Sequence, residues 1–245
     1  MLDGAARIKQ LVAKAAELAM PAIAITDHGN SHGAYEFWKQ ATAHNIKPII
    51  GIEAYLAPGS RKDKTRVRWG DGGGDDVSGG GAYSHLTMWA TNNDSMQTLF
   101  RLSSEAYLSG YYFKPRMDRE LLSQYGKGLI ATTGCPGGEV QTRLRLGQYQ
   151  EALDTASEFR DIFGKGNYFV EVMDHGLEIE KRVRDDLLRL SKDLDLPLVA
   201  TNDLHYTEKE DSVAHDALLC VQVGSNLDDP NRFKFESQEY YLKSA

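Results

Sequence analysis

The 245-residue sequence contains only two cysteines, Cys135 and Cys220, and 85 residues separate them. Two such distant cysteines cannot form a disulfide framework, so a reducing cytoplasm is the expected compartment. Long apolar runs are also lacking, because the longest, such as Ala22–Ile25 and Leu218–Val221, have the length of strands and a bilayer span needs roughly 20 residues. The N-terminus shows no apolar run of signal-peptide length. We therefore expect a cytoplasmic protein without a membrane partner.

Positive charge is not in excess either. The chain has 28 Lys and Arg residues against 35 Asp and Glu residues, a formal net charge of −7, which excludes a polycation whose whole surface neutralises phosphate. No Gly-Lys-Ser/Thr completes a P-loop, no Gly-x-Gly-x-x-Gly joins a strand to a helix, and no Gly-x-Ser-x-Gly elbow or zinc-finger spacing occurs. NTP binding, dinucleotide binding and serine-nucleophile hydrolysis lose support.

Helical periodicity and short β-rich runs alternate along the chain, which indicates an α/β protein with mainly parallel strands. Strands are predicted at residues 22–26, 49–56, 86–90, 128–133, 168–172 and 198–201, and helices at 5–19, 32–45, 93–107, 137–146, 149–162, 177–194 and 208–222. This order favours a (β/α) barrel or an open doubly wound sheet. Because the order begins on a helix and ends without a terminating signal, we expect a segment cut from a longer protein.

Residues of metal-ligating type follow the predicted strands. His28 follows the first strand, Glu53 lies late in the second, Cys135 follows residues 128–133, and Asp203 and His205 follow residues 198–201. The carboxyl ends of strands build the site in barrels and open α/β sheets, so we expect these side chains to gather.

Each of these residues also has an ordinary structural alternative. His85 is a ligand by type, but it lies at the beginning of its strand and fits the rule less well. Asp3 could be a helix N-cap, Asp203 could shape a turn, Cys135 could be a small buried residue, and His28 could be a hydrogen-bonded loop histidine.

The mixture of imidazole, carboxylate and thiolate suits zinc, or manganese at a carboxylate-rich position, better than magnesium. The number of candidate ligands exceeds the number that one tetrahedral ion can take. Two or three ions bridged by a carboxylate are therefore expected. A cluster of that kind lowers the pKa of bound water and neutralises a phosphoester. Hydrolysis of a phosphate ester is therefore the reaction class that these residues fit.

A basic tract at residues 61–68 precedes a glycine-rich loop that extends to Gly81. Two interpretations stay open, a contact with a phosphate backbone and a solvated surface loop. The bases of the tract are Arg61, Lys62, Lys64, Arg66 and Arg68.

The remaining histidines divide into two groups. His175 follows the strand at residues 168–172 and is a candidate substrate contact. His32, His44 and His215 fall in predicted helices and are expected to be surface or packing residues.

Six stretches of the sequence are similar to the successive motifs of the PHP (polymerase and histidinol phosphatase) domain. They are Leu2-Asp3-Gly4, Thr26-Asp27-His28-Gly29-Asn30, Gly51-Ile52-Glu53-Ala54-Tyr55, Ser84-His85-Leu86-Thr87, Thr133-Gly134-Cys135-Pro136 and Thr201-Asn202-Asp203-Leu204-His205-Tyr206. Three further stretches, at residues 57–61, 138–144 and 229–235, resemble more narrowly the N-terminal PHP domain of bacterial replicative DNA polymerase III alpha subunits of the actinobacterial kind.

The resemblance implies a distorted, TIM-like (β/α)7 barrel whose first strand, with a His-x-His pair, is missing from this sequence. Residues 1–228 would form the metal-dependent phosphoesterase domain, and residues 229–245 would begin the connection to polymerase domains. The implied cofactor is zinc, as two or three ions, with manganese as an alternative. The implied ligands are Asp3, His28, Glu53, His85, Cys135, Asp203 and His205, of which His28, Glu53, Asp203 and His205 would carry the catalysis.

In family members with a complete ligand set, the domain looks like a 3′–5′ proofreading exonuclease. In members that have lost ligands, it looks like a structural platform for the polymerase. The seven ligand positions retained here favour the exonuclease. Its partners would be primer–template DNA, the other polymerase domains and replisome subunits such as the sliding clamp. An inactive scaffold and a small-molecule phosphatase, such as a histidinol-phosphate hydrolase, remain the alternatives.

Overall fold

The computed structural model describes residues 3–71 and 76–244. Within these ranges the helices are α1 (Ile8–Glu17), α2 (Ala34–Ala43), α3 (Ser78–Gly81), α4 (Asn93–Ser109), α5 (Arg119–Tyr125), α6 (Glu139–Arg145), α7 (Tyr149–Phe163), α8 (Glu178–Leu194) and α9 (Ser212–Val223), with a 3-10 turn at Lys209–Asp211 before α9. The strands are β1 (Ala22–His28), β2 (Lys47–Leu56), β3 (Ser84–Ala90), β4 (Arg116–Met117), β5 (Leu129–Thr132), β6 (Tyr168–Val172) and β7 (Leu198–Ala200). Leu2 of the first motif and residues 72–75 of the glycine-rich loop lie outside the described residues.

The strands form one sheet in the order β1-β2-β3-β5-β6-β7, and β4 pairs with β2. The α/β class and the mainly parallel sheet are confirmed, except that β3 runs antiparallel to both of its neighbours. The beginning of β3 therefore lies at the same pole as the carboxyl ends of β2 and β5. This pole carries the candidate site.

Two hydrophobic clusters stabilise the fold. The larger one lies between the sheet and helices α4 to α8, and it includes Val183, Leu187 and Leu190 of α8. The smaller one packs α1 and α2 against the edge of the sheet through Val12 and Phe37. Burial of such side chains contributes roughly 1.5–3 kcal/mol each relative to exposure. The rigid sheet holds the strand ends in fixed positions.

The sequence patterns missed three short elements. Strand β4 has only two residues, and α3 has four residues of which Gly79 and Gly80 are non-helical. Helix α5 begins after Asp118, whose carboxylate accepts a hydrogen bond from the Leu121 backbone N–H at 3.0 Å. That N-cap, followed by two buried leucines, is the signal that would have predicted α5.

The segment after α9, predicted to begin a connection, forms no helix or strand over residues 224–244. It nevertheless packs against the domain, because the Tyr240 carbonyl accepts hydrogen bonds from the backbone N–H groups of His205 and Tyr206. No helix in the described part of the chain is long and apolar enough to cross a membrane.

Candidate metal centre

Glu53 lies at the middle of the candidate centre. Its Oε1 is 2.8 Å from His85 Nδ1 and 3.5 Å from Cys135 Sγ, and its Oε2 is 3.1 Å from His28 Nδ1. The strand register explains this convergence, because Glu53 pairs with His28 across the β1–β2 ladder and Tyr55 pairs with His85 across the β2–β3 ladder. Residues i and i+2 of a strand share a face. All three polar side chains therefore project on one side of the sheet.

Asp3 joins the two edges of the sheet. Its Oδ2 lies 2.7 Å from His28 Nε2, at the end of β1, and 3.4 Å from His205 Nε2, beyond the end of β7. Because β1 and β7 are the two ends of the strand order, the sheet must curl to bring them together, as in a partial barrel. The N-cap alternative for Asp3 is wrong, since α1 begins at Ile8 with Arg7 at its N-cap position.

Asp203 and His205 form a local unit after β7. Asp203 has a φ of 42°, in the left-handed region that Asp tolerates better than most residues. The His205 Nδ1–H donates to the Asp203 carbonyl at 2.7 Å, which leaves Nε2 facing Asp3. A histidine that is fixed through one nitrogen is oriented to offer the other as a ligand.

The carboxylates set the charge of these histidines. Burial alone would lower the pKa of His28, but the hydrogen bond with Asp3 and the charges of Glu53 and Asp3 raise it to about 10. Burial also opposes protonation of His205, and Asp3 and Asp203 nevertheless raise its pKa to about 9. Without a metal, protonated imidazoles therefore balance the carboxylates.

The pKa values of the acidic groups at the centre shift in opposite directions. Burial would raise the pKa of Asp3 and of Glu53, but their histidine partners hold both well below the usual range. Burial and the neighbouring carboxylates raise the pKa of the Cys135 thiol. Burial, together with the charge of Glu53, also raises the pKa of Asp203. Asp203 and Cys135 are thus the groups that a bound cation would deprotonate most effectively.

The donor set fits a divalent metal. Ligand atoms of Glu53, His85 and Cys135 all lie within 4.8 Å of one another. His28 Nδ1 is buried and makes no hydrogen bond of good geometry, although Glu53 Oε2 is 3.1 Å away. Carboxylate, imidazole and thiolate together suit zinc better than magnesium. Asp3, His28 and His205 offer a second group of donors around the Asp3 carboxylate.

A buried carboxylate that the sequence patterns missed links the strands beside this centre. Glu171 of β6 is 3% exposed and accepts hydrogen bonds from the Thr132 hydroxyl at 2.5 Å and from the Thr201 hydroxyl. Thr132 precedes Cys135 and Thr201 precedes Asp203 in the sequence. Glu171 thereby restrains the strand ends that precede two candidate ligands. Its place in the strand 168–172, among apolar neighbours, was the available signal.

His215 is a second residue whose role the sequence did not reveal. It was expected at the surface or in packing, and it is buried, with Nε2 2.8 Å from the Asp3 carbonyl oxygen. Its ring also lies 5.5 Å from the His205 ring, centroid to centroid. His215 therefore positions Asp3 across 212 residues of sequence, a separation that no spacing rule detects.

The basic tract divides into one paired residue and four exposed ones. The Arg61 side chain is 11% exposed, and its Nη1 lies 2.9 Å from Asp118 Oδ1 and 3.0 Å from Glu120 Oε2. This pairing corrects the expectation that Arg61 contacts a phosphate. The other four bases, Lys62, Lys64, Arg66 and Arg68, are exposed.

His175 lies inside the protein, away from any position where it could contact a substrate. Its side chain is 1% exposed, its Nδ1 is 2.5 Å from Glu180 Oε1, and its Nε2 is 2.7 Å from the Asn202 carbonyl oxygen. Tyr240 stacks on the ring at 4.0 Å between centroids. Both ring nitrogens are engaged inside the protein, which corrects the expected substrate contact to a structural role beside the Asp203 loop.

Comparisons with known proteins identify the family of the chain. The sequence pattern of the PHP domain family matches residues 1–175, and the chain belongs to this family. The whole chain is 57% identical over 254 residues to DNA polymerase III subunit alpha of Saccharopolyspora erythraea, and 56% identical over 248 residues to that of Mycobacterium tuberculosis H37Rv. In each case the chain spans 21% of the relative's length.

A solved structure was also compared with the chain. An amidohydrolase from Chromobacterium violaceum, with bound sulfate and no metal, covers 83% of this chain and 84% of its own, with a TM-score of 0.49 and 14% identity.

Proposed function

We propose that this chain is the PHP domain of a bacterial replicative DNA polymerase subunit and hydrolyses the 3′-terminal phosphodiester of a primer strand with divalent metal ions. One observation carries the proposal: a continuous series of polar contacts links seven residues from six separate stretches at one pole of the sheet. Glu53 contacts His28, His85 and Cys135, and the series continues from His28 through Asp3 and His205 to Asp203. The similarity to the polymerase subunits over the whole chain supports this substrate.

The proposed metal is zinc, as two or three ions, with manganese as the alternative. Bound ions would lower the pKa of water and neutralise charge on the phosphodiester. Glu53 would help to hold the metal together with His28 and His85, since its two oxygens face these different histidines. Asp3 orients His28 and His205, and Cys135 supplies the soft ligand that favours zinc.

The protein would hold the strand through the exposed bases of the tract, Lys62, Lys64, Arg66 and Arg68. Cations that neutralise backbone phosphates give affinity without sequence preference, which suits a nuclease that acts on any primer end. We further propose that the domain works in the cytoplasm with primer–template DNA, the remaining polymerase domains and the sliding clamp as partners.

The test uses the full-length polymerase subunit with a mismatched primer–template and, separately, a small phosphomonoester. We expect His28→Ala and Asp203→Asn each to lower 3′-end cleavage at least about 100-fold, because the loss of one ligand disturbs the cluster. DNA synthesis by the same preparations reports whether the subunit is folded. His32→Ala is the matched control, since His32 is an exposed histidine four residues from His28.

Two results would overturn the proposal. Cleavage at the wild-type rate in both ligand variants would assign the domain a scaffold role. Hydrolysis of the monoester alone would identify a small-molecule phosphatase.

A further inference from the structure

Three exposed aromatic side chains lie close together in the sequence, at the end of α4 and in the turn that follows it. Tyr107 is 40% exposed, Tyr111 is 55% exposed and Phe113 is 54% exposed. Tyr107 and Tyr111 lie 6.3 Å apart between ring centroids, at the end of α4 and just beyond it. We call these three residues the aromatic ledge. Exposed aromatic rings grouped in this way are costly in water and mark interaction sites.

The backbone holds the aromatic ledge in place. Phe113 has a φ of 61°, a left-handed conformation that is strained for a bulky residue. The buried Arg116 guanidinium fixes the base of this turn by donating hydrogen bonds to the carbonyls of Gly110, Ala82, Arg61 and Asp63. These bonds join the ledge to the start of the basic tract. Phe113 is therefore presented to solvent by a rigid support.

Cationic groups accompany the rings. The Arg66 guanidinium carbon lies 4.8 Å from the centroid of the Phe113 ring. Lys114, the next residue, places its Nζ 5.3 Å from the centroid of the Tyr55 ring. Residues 61–68 contain five bases and a single acid, Asp63. Positive charge beside exposed aromatic rings is the pattern with which proteins hold single-stranded nucleic acid, through phosphate contacts and base stacking.

The aromatic ledge adjoins the metal centre. Tyr55, which Lys114 covers, stacks on His28 at 6.0 Å between ring centroids. Pro115 packs against the turn after His28, because a Cβ on Gly29 would lie 3.0 Å from Pro115 Cγ. Lys114 and Pro115, which directly follow Phe113, are therefore separated from the candidate ligand His28 only by the Tyr55 ring and the turn at Gly29.

We propose that the aromatic ledge binds unpaired DNA, with bases stacked on Tyr111 and Phe113 while Lys114 and Arg66 neutralise the adjacent phosphates. This inference rests on the proposed function for the identity of the strand, which is a frayed primer 3′ end entering the centre. Stacking is tolerant of sequence, since every base offers a flat face. The ledge would therefore favour ends that melt easily, as mismatched ends do.

Binding is measured without catalysis, in EDTA, on the full-length subunit. The probe is a single-stranded oligonucleotide with 5-iododeoxyuridine near its 3′ end, which photo-cross-links to aromatic side chains that it stacks on. Trypsin releases the ledge in one peptide, residues 102–116, because the Lys114–Pro115 bond resists cleavage. We expect adducts on Tyr111 or Phe113 in this peptide.

Variants make the test quantitative. In Tyr111→Ala the yield of the Phe113 adduct is measured against oligonucleotide concentration. We expect the concentration that gives half-saturation to rise at least about fivefold. Phe113→Gly, followed through the Tyr111 adduct, is expected to do the same, and glycine suits the left-handed backbone at this position, so misfolding does not explain the loss. Tyr35→Ala removes an exposed tyrosine of α2 and serves as the control.

The outcomes separate the two proposals. Adducts on the ledge in a subunit that cleaves no 3′ end would support the ledge and refute the exonuclease. Cleavage of 3′ ends with no adduct in residues 102–116, or with unchanged half-saturation in both variants, would refute the ledge and point to a protein-binding surface instead.

Discussion

The metal-free domain is expected to lose stability as the pH rises from 7 to 9.5. The cause is His205, whose pKa of about 9 in the folded protein exceeds the value of about 6.5 in an unfolded chain. A raised histidine pKa stabilises the fold fully below pH 6.5, and the effect disappears as the pH rises through 9. The shift of about 2.5 units corresponds to about 3 kcal/mol at low pH, of which about 2 kcal/mol is lost between pH 7 and pH 9.5.

His28 adds to this loss in the same direction, since its pKa is raised to about 10. Its side chain is 32% exposed, so solvent screening makes its contribution smaller than the shift alone implies. Asp3 and Glu53 act at the other end of the pH range, because their lowered pKa values stabilise the fold above about pH 4 and that stabilisation is lost in acid. The metal-free fold should therefore be most stable between about pH 5 and 7.

The assay is urea unfolding in EDTA at a series of pH values, followed by tryptophan fluorescence. Asp3→Asn should flatten the decline above pH 7, because it removes the carboxylate shared by His28 and His205. Asp228→Asn, at an exposed acid after α9, is the control. Added zinc should oppose the decline, since metal ligands bind better when deprotonated. A free energy of unfolding that is constant or increases from pH 7 to 9.5 in EDTA would refute this account.

Three further predictions concern stability and metal choice. Arg116→Met should lower the free energy of unfolding by about 3–5 kcal/mol in urea titrations, because four backbone carbonyls lose a charged donor, and Arg116→Lys should restore only part of it. Gly51→Ala should cost at least about 2 kcal/mol in the same titrations, since its Cβ would lie 2.4 Å from the Met88 carbonyl oxygen. Cys135→Ser should weaken zinc binding at least about tenfold relative to manganese in competition titrations, whereas Cys220→Ser should leave it unchanged; equal losses in both variants would contradict the assignment of Cys135.

Much of the architecture could be predicted from local patterns, because each buried strand is a short apolar run between turn signals. The strand at 168–172 has the predicted bounds, and the other five differ by a few residues at their ends. The location of His28 and His205 at one pole followed from the same reasoning, since parallel strands end at one pole. Long-range partners could not be predicted this way. The hydrogen bond between His215 and Asp3, and the burial of His175 against Glu180, depend on tertiary packing.

A run of charged residues in the sequence indicates which side chains are exposed. It does not indicate which base is paired with an acid far along the chain. Arg61 shares a tract with four exposed bases, but its guanidinium is held by Asp118, 57 residues away. Arg116 is among the most buried side chains of the described residues for a different reason, because its guanidinium donates to four backbone carbonyls. Distant ion pairs and hydrogen bonds to carbonyls, which local composition cannot display, decide the role of each arginine.

Among the candidate ligands, His85 fits the strand-end rule least, and the reason lies in the connection before it. The connection between two adjacent parallel strands is a crossover of a dozen residues or more, usually a helix. The chain between β2 and β3 is rich in glycine, and its described residues contain only the four-residue α3. A segment without a crossover helix favours an antiparallel pair of strands. Strand β3 runs antiparallel to β2 and β5, so its first residues lie at the pole where its neighbours end. The absence of helical periodicity in this loop was thus the available signal that His85 belongs beside Glu53.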